Sequence, residues 1–122
     1  MAQEIKKFVI QQHSTAQGVH WDFMLELGDI LQTYRLDKAP QQLIQSPAVA
    51  VKIFDHPLKF LTYEGPVSKG QGSVSIVETG TYEVVHQAHE RLELDLTGKI
   101  LKGKFTLSHV EGDDWQFSKS DI

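Results

Sequence analysis

The sequence has 122 residues, no cysteine and a net charge of -4 at neutral pH, which excludes disulfides and thiolate metal sites and fits a reducing compartment. The acidic balance also argues against tight non-specific nucleic-acid binding, which usually requires a basic face. Since no apolar run approaches membrane-spanning length and Met1 to Lys7 lack the apolar core of a signal peptide, we expect one cytoplasmic domain over residues 1–122, with no membrane partner.

The first two predicted strands carry the most informative residues. Phe8 to His13 is a β-branched and aromatic run, and a bend over Ser14 to Gly18 leads into a second strand. In this second strand, apolar and polar residues alternate. One face carries Trp21, Phe23, Leu25 and Leu27, and the other carries His20, Asp22, Met24 and Glu26. His20 and Asp22 are therefore expected to share a face, over which His13 can fold back.

Two imidazoles and one carboxylate are a familiar ligand set for Mn, Fe or Zn. A lone His-x-Asp is more often part of a half-buried strand with a polar outer face. The additional His13, and the cost of placing Asp22 among aromatic residues without a partner, favour the metal site, but the residues alone leave both interpretations open. His86 and His89 could also ligate a metal, but no carboxylate with strand geometry is near, so we expect exposed loop residues.

The next segment predicts a hairpin and a further strand. Leu27-Gly28-Asp29-Ile30 is typical of a type II′ turn, and Ile30 to Leu36 is the return strand. Asp37-Lys38-Ala39-Pro40 comes next, and a polar loop is then expected to Pro47. The strand Ala48 to Phe54 follows, and Asp55-His56-Pro57 is expected to end it because proline lacks a backbone donor.

The segment from Thr62 to Ser73 is rich in turn residues and predicts a loop. Its Gly70-Gln71-Gly72 lacks the Gly-Lys-Ser/Thr ending of a nucleotide-binding P-loop, so we reject that interpretation. Two strands, Val74 to Val77 and Gly80 to Val85, are predicted around a turn at Glu78-Thr79-Gly80.

The C-terminal part predicts a hairpin between residues 92–96 and 101–107, with its turn at Thr97-Gly98-Lys99-Ile100. The expected cross-strand pairs are Asp95 with Lys102 and Glu93 with Lys104. Opposite charges across a ladder help to fix the register. The lysines are therefore interpreted as a solvated face rather than as a nucleic-acid patch.

A final strand is predicted over Trp115 to Lys119. Eight or nine short strands with turn signals between them, and no convincing helix, indicate an all-β barrel or sandwich. A small all-β protein must close or cover its sheet edges. We therefore predict a closed or nearly closed β-barrel of about eight strands.

Several separated segments follow one another in an order that resembles a known family. The first two are Gln11-Gln12-His13 and His20-Trp21-Asp22-Phe23-Met24-Leu25-Glu26. Next come Asp55-His56-Pro57-Leu58 with Tyr63-Glu64-Gly65, then Gly70-Gln71-Gly72-Ser73-Val74 with Gly80-Thr81-Tyr82-Glu83, and finally Gly103-Lys104-Phe105-Thr106-Leu107 with Trp115. Together they resemble the 3′-phosphoesterase domain of bacterial and archaeal DNA ligase D, which also occurs as a stand-alone protein.

The resemblance implies a compact β-barrel with a Mn²⁺-dependent site that trims 3′ ends in DNA repair, removing a terminal ribonucleoside and then the remaining 3′-phosphate. His13, His20 and Asp22 would be the metal ligands, with Zn²⁺ or Co²⁺ as other possible ions. His56 would contact the phosphate as general acid or transition-state stabiliser, and Lys38 matches a lysine of a Lys-Gly-Pro segment. The implied partners are DNA or RNA-terminated DNA 3′ ends and DNA repair ligases or polymerases.

Three positions depart from the family pattern. Met24 and Ala48 stand where arginines are usual, and Phe60 stands where a tyrosine is usual. Arginine is the side chain best matched to phosphate, so these losses leave the metal, His56 and Lys38 to hold the charge. The chain is thus identified as a divergent, stand-alone member. Met24→Arg is expected to restore a phosphate clamp on the face of Asp22.

Two functions follow from these observations. One is a Mn²⁺-dependent phosphoesterase acting on 3′ ends of nucleic acid or on another phosphorylated compound. The other is a non-catalytic, metal-bearing barrel that binds phosphorylated ends or a partner protein. A small-molecule metalloenzyme of the cupin kind is discounted because its Gly-rich histidine motifs are missing.

Overall fold

The computed structural model describes residues 5–120, which form one antiparallel sheet and three short helices. The strands are β1 Lys6–Thr15, β2 Gly18–Leu27, β3 Ile30–Leu36, β4 Ala48–Pro57, β5 Gly65–Val67, β6 Gly72–Ala88, β7 Arg91–Gly98, β8 Lys102–Glu111 and β9 Asp114–Lys119. Helix α1 spans Pro40–Leu43, and two 3₁₀ helices span Leu58–Leu61 and Ser68–Gly70. Within residues 5–120, no helix is long and apolar enough to cross a membrane.

Eight of these strands form a ring. The order is β1-β2-β3-β4-β9-β8-β7-β6, and β6 pairs back with β1, while β5 lies beside the first part of β6. The predicted barrel of about eight strands is confirmed. The predicted domain of residues 1–122 includes Met1 to Glu4 and residues 121–122, which lie outside the described residues.

The ring has an apolar interior and a second apolar cluster on its outer face. Phe23 lies in the main core, with its ring centroid 5.8 Å from that of Phe8 and 5.2 Å from that of Phe117. The second cluster consists of Val9, Met24 and Leu31, packed against Leu58, Phe60, Leu61 and Ile76. The alternation predicted for β2 is therefore correct, but the face of Asp22 and Met24 is buried rather than solvated.

The first N-terminal hairpin has a shorter loop than predicted, and the second has the loop that was predicted. The predicted bend from Ser14 to Gly18 is a two-residue connection at Ala16 and Gln17, which places His13 directly opposite His20. The predicted turn at Gly28 is confirmed, with a φ of +63° at that glycine, and β3 has the predicted bounds. A two-residue loop fixes the register of the strands it joins. The first loop therefore pairs His13 with His20, and the second pairs Asp22 with Arg35.

Two predictions between residues 37 and 57 are wrong. The predicted polar loop contains the one-turn helix α1, which begins at Pro40, a favoured first helical position. The predicted strand end at Asp55 is also wrong, because β4 continues to Pro57 and His56 pairs with Leu31. The register shifts by one residue just before His56, and such a bulge re-aims the side chains beside it.

The predicted turn at Glu78-Thr79-Gly80 does not exist, since β6 is one strand of 17 residues. Gly80 is required by close approach to β7, because a Cβ there would lie 2.1 Å from the Thr97 carbonyl oxygen. Glu78 is buried, and its carboxylate accepts hydrogen bonds from the backbone N–H groups of Lys99, Ile100 and Leu101 at 2.7–3.0 Å. These residues therefore anchor the neighbouring loop.

The same anchoring explains why the predicted register of β7 and β8 is wrong. Asp95 pairs with Lys104 and Glu93 with Thr106, two residues away from the predicted partners. The bonds to Glu78 hold residues 99–101 outside the ladder, so β8 starts at Lys102. A two-residue slip keeps every side chain on its predicted face, which is why the alternation alone did not reveal it.

His86 and His89 are exposed, as predicted, but His86 belongs to β6 rather than to a loop.

Candidate metal centre

The three predicted ligands come together on the outer face of the β1–β2 hairpin. His13 Nδ1 lies 2.9 Å from His20 Nε2, and His20 Nε2 lies 3.7 Å from Asp22 Oδ2. One ligand atom from each residue lies within 4.8 Å of the other two. The pairing of His13 with His20 and the strand alternation of Asp22 produce this cluster directly from the hairpin register.

The electrostatics of the cluster favour neutral imidazole beside a carboxylate. Asp22 is only 4% exposed, yet it has charged and polar partners. Burial lowers the pKa of His20, and the nearby Asp22 carboxylate opposes that shift. Neutral imidazole is the form that binds metals, and a divalent cation held by His13 and His20 would displace the proton that the two rings share.

A buried nitrogen supports the fit of a cation to these residues. His13 Nε2 is buried and makes no hydrogen bond with the residues described. It faces Gly72 of β6, where a Cβ would lie only 2.8 Å from this nitrogen. The His13 ring is therefore constrained without being committed to a protein partner other than His20. Two nitrogens and one oxygen at this spacing suit Mn²⁺, Zn²⁺ or Co²⁺.

Beside the cluster lies a cavity of about 340 Å³, whose lining includes His13, Asp22 and His56. It lies between the outer face of β1–β4 and the segment that follows β4. Buried Gln11 holds this segment in place, donating both amide hydrogens at 2.9 Å, to the Phe60 and Tyr63 carbonyl oxygens. The glutamine of the Gln-x-His motif therefore shapes the cavity.

His56 reaches this cavity with one nitrogen already engaged. Its Nδ1 lies 2.9 Å from Thr33 Oγ1 and 3.1 Å from the Phe54 carbonyl oxygen. A carbonyl oxygen only accepts, so Nδ1 carries a proton and the neutral ring has its lone pair on Nε2. Burial lowers the pKa of His56, with Asp22 opposing the shift. The ring also stacks on Phe54 at 4.8 Å between centroids.

Arg35 is a cavity residue that the sequence analysis missed. It lies opposite Asp22 in the β2–β3 pair, and its Nε donates to Asp22 Oδ1 at 3.2 Å. The sequence did contain a signal for this residue. The predicted two-residue turn at Gly28 and Asp29 pairs Leu27 with Ile30, and counting back along both strands from that pair places Asp22 opposite Arg35. Asp22 therefore has the cationic partner whose absence seemed costly in the sequence.

The remaining family positions lie away from the cluster. Lys38 Nζ donates to Ser46 Oγ at 2.9 Å and to the Pro47 carbonyl oxygen at 2.7 Å, and Lys38 is not among the residues that line the cavity. Ala48 is buried in the main core, on the opposite face of the sheet. The structure thus does not bring Lys38 together with the predicted metal ligands.

Met24 and Phe60 belong to one apolar cluster. Met24 is completely buried with Val9 and Leu31, and Phe60 packs against them. These two positions, where the motif resemblance leads us to expect an arginine and a tyrosine, are therefore in the same packing unit.

The ring of strands and the two-histidine, one-carboxylate cluster define a small antiparallel β-barrel with a centre suited to a divalent cation. The chain belongs to the DNA ligase D 3′-phosphoesterase domain family, which matches residues 11–109. The resemblance inferred from the motifs is confirmed, and the matched range contains His13, His20, Asp22 and His56.

Individual relatives agree with this assignment. The chain is 28% identical to the multifunctional non-homologous end joining protein LigD of Mycolicibacterium smegmatis, over 89% of this chain and 16% of that protein. It is 31% identical to the multifunctional non-homologous end joining DNA repair protein LigD of Mycobacterium tuberculosis, over 88% of this chain and 15% of that protein. For LigD of Pseudomonas aeruginosa the identity is 31%, over 83% of this chain and 13% of that protein. The chain therefore spans about a sixth or less of these relatives.

Proposed function

We propose that this chain is a divalent-cation-dependent phosphoesterase that processes 3′ ends in DNA repair, with Mn²⁺ as its cofactor. Membership of the family supports end processing in repair. The observation that carries the proposal is that His13, Asp22 and His56 line one cavity, so a cation centre and a proton donor face the same space.

The chemistry divides between the cation and the protein. His13, His20 and Asp22 would hold the ion, which when bound would polarise a phosphoryl oxygen and lower the pKa of water. In its imidazolium form His56 would act as a general acid, because the Nδ1–H group is held by Phe54 and Thr33 and only the proton on Nε2 is free to pass to a leaving oxygen. The fixed ring orientation reduces the reorganisation needed for that transfer.

Phe54 supports a nucleic-acid end as the substrate. Its ring is 74% exposed, lines the cavity and stacks on His56 within 15° of parallel. An exposed aromatic ring beside a phosphate site is suited to stacking a terminal base, regardless of its sequence. With a net charge of -4, we expect recognition of the end itself rather than of a long backbone tract.

The test is release of phosphate from a 3′-phosphorylated oligonucleotide in the presence of Mn²⁺, Zn²⁺ or Co²⁺, with a 3′-ribonucleotide substrate in parallel. We expect Mn²⁺-dependent release that His56→Ala abolishes without changing the stoichiometry of bound Mn²⁺. Phe54→Ala should raise KM for the oligonucleotide but leave that for p-nitrophenyl phosphate unchanged. No release from any of these substrates would contradict catalysis.

A second candidate is a non-catalytic module that binds phosphorylated ends or a partner protein. Met24 and Phe60 favour it, because their apolar side chains stand where the family usually has an arginine and a tyrosine. Bound Mn²⁺ and bound 3′-phosphorylated DNA without turnover would identify this function. In either case we propose that the chain acts beside a DNA repair ligase or polymerase at the same break.

A further inference from the structure

Arg35 is one of only two arginines in the sequence, and it lies at the cavity. We propose that Arg35, on β3, binds the phosphoryl oxygens of the substrate through its terminal guanidinium nitrogens. The identity of the anion rests on the proposed function. Arg35 was not among the motif residues.

The guanidinium of Arg35 has N–H donors that are not used in its bond to Asp22. Its Nε donates to Asp22 Oδ1 at 3.2 Å, and among the residues described we find no hydrogen bond to either terminal nitrogen. A guanidinium carries five N–H groups in a rigid plane, so four remain once Nε is engaged. Asp22 therefore fixes the plane while the terminal nitrogens remain available to an anion.

The geometry of the Arg35–Asp22 ion pair is not the one that would best neutralise the Asp22 carboxylate. Such a partner is most effective when both are buried and the two N–H···O bonds are bidentate. Arg35 makes one bond, and its side chain is 40% exposed, whereas that of Asp22 is 5% exposed. Arg35 and His56 both line the cavity.

The charge balance of the cavity also calls for an anion. With a divalent cation on His13, His20 and Asp22, the histidines are neutral ligands and Asp22 is the only anion among the ligands. Arg35 adds one positive charge, so the cation, Asp22 and Arg35 together carry a net charge of about +2. A terminal phosphate monoester is close to a dianion at neutral pH and matches that charge.

Arg35 is a close neighbour of the buried Met24 side chain. In the β2–β3 pair, Asp22 lies opposite Arg35 and Met24 opposite Thr33, so Arg35 and Met24 are diagonal neighbours on one face. Diagonal positions are within reach of long side chains. Met24 is packed in the apolar cluster and is not among the residues that line the cavity, whereas Arg35 on the neighbouring strand is.

The experiment measures binding of inorganic phosphate by ³¹P NMR to the protein loaded with diamagnetic Zn²⁺, and binding of Mn²⁺ by electron paramagnetic resonance. We expect Arg35→Met to weaken phosphate binding at least tenfold and to leave Mn²⁺ affinity equal or higher, since a nearby cation is removed. Arg91→Met is the matched control, because Arg91 also pairs through Nε, with Glu93 at 3.6 Å, but does not line this cavity.

Arg35→Lys provides a second variant if Arg35→Met fails to fold. It keeps the charge but not the planar fork, so we expect a folded protein with phosphate binding weakened several-fold. Unchanged phosphate binding in the folded variants would overturn the proposal. Equal losses of Mn²⁺ and phosphate binding would also overturn it, because Arg35 would then act only by holding Asp22.

Turnover separates this inference from the proposed function. If the wild type releases no phosphate from any 3′ end but loses phosphate binding on Arg35→Met, catalysis fails and the role of Arg35 stands. If the wild type is active and Arg35→Met retains its kcat/KM and phosphate affinity, the role of Arg35 fails and the proposed function stands.

Discussion

His56 shows how single contacts prepare the site at the scale of the residue. The Phe54 carbonyl and Thr33 hydroxyl determine which of its nitrogens carries the proton. Asp22 holds the guanidinium of Arg35 through its Nε–H group. Each side chain that would act on a substrate is therefore held by a neighbour on an adjacent strand or by its own backbone, and its rotamer does not have to be selected during the reaction.

We expect His20→Ala and Asp22→Ala to abolish the binding of about one equivalent of Mn²⁺ while the protein stays folded, because the main core lies on the opposite face. Isothermal titration with Mn²⁺ and a thermal melt provide the measurements. His86→Ala is the control, since His86 is an exposed histidine on β6. Retention of stoichiometric binding in both site variants would contradict the metal centre.

The lowered pKa of His56 predicts a pH-dependent stability. Burial favours the neutral ring, so the folded protein binds a proton at His56 less readily than the unfolded chain, whose pKa is near 6.5. The contribution of His56 to the free energy of unfolding is therefore complete above a pH of about 6.5 and is lost as the pH falls below it. His56→Asn keeps a donor near the Nδ1 position but does not titrate.

Thermal melts of the wild type and His56→Asn between pH 7.5 and 5.5 measure this effect. The wild type should lose stability relative to the variant as the pH falls, and a difference independent of pH would refute the assignment. In the activity assay, a proton donated by His56 predicts that the rate declines as the pH rises through its lowered pKa.

At the scale of the element, β6 links the site to the closure of the ring. It pairs with β1 beside His13, with β5, and with β7. Glu78 lies in its middle and organises the β7–β8 loop. A strand of this length serves three neighbours, so its sequence meets several packing demands that do not follow a simple alternation.

Glu78→Gln tests the anchoring of that loop. The amide group turns an acceptor into a donor facing the N–H groups of Ile100 and Leu101, so we expect a loss of about 1–3 kcal/mol for each N–H left without an acceptor. Urea unfolding measures the free energy. Glu83→Gln, on the exposed face of the same strand, should change it by less than about 0.5 kcal/mol. Equal effects of the two substitutions would contradict the role of Glu78.

The first 3₁₀ helix, Leu58–Leu61, covers Met24 and changes what we expect of Met24→Arg. A guanidinium placed alone in this apolar cluster would be an unpaired buried charge, so the variant should lose about 3 kcal/mol or more rather than gain activity. Met24→Leu conserves volume and should cost less than about 1.5 kcal/mol. A stable, more active Met24→Arg in the same melts and phosphatase assay would show that the cluster opens readily.

At the scale of the whole molecule, stability depends on the interior of the ring. Phe23 is completely buried between Phe8 and Phe117, whereas Trp21 is only partly buried against the same core and its indole N–H has no hydrogen-bond partner among the described residues. The residues inside the ring come from eight strands, so loss of one large side chain should weaken the whole barrel cooperatively.

We expect Phe23→Ala to cost about 3–5 kcal/mol and Trp21→Ala to cost less, because Trp21 loses less buried area. Denaturant unfolding of the two variants measures the difference. Leu27→Ala, on the same face but exposed near the end of β2, is the control and should be close to neutral. A larger loss for Trp21→Ala than for Phe23→Ala would mean that the core is centred elsewhere.

Local patterns determined the hairpins, the faces of β2 and the three candidate ligands. The alternation from His20 to Leu27 and the turn at Gly28 depend on neighbouring residues, so the sequence alone sufficed to predict them. The tertiary structure decided the continuous β6, the β7–β8 register and the cavity beside the three ligands. Those features depend on ring closure, through contacts such as the bond of Glu78 to the Ile100 N–H across 22 residues and that of Gln11 to the Phe60 carbonyl oxygen across 49. Such contacts leave no period in the sequence, because the partners become neighbours only when the barrel closes.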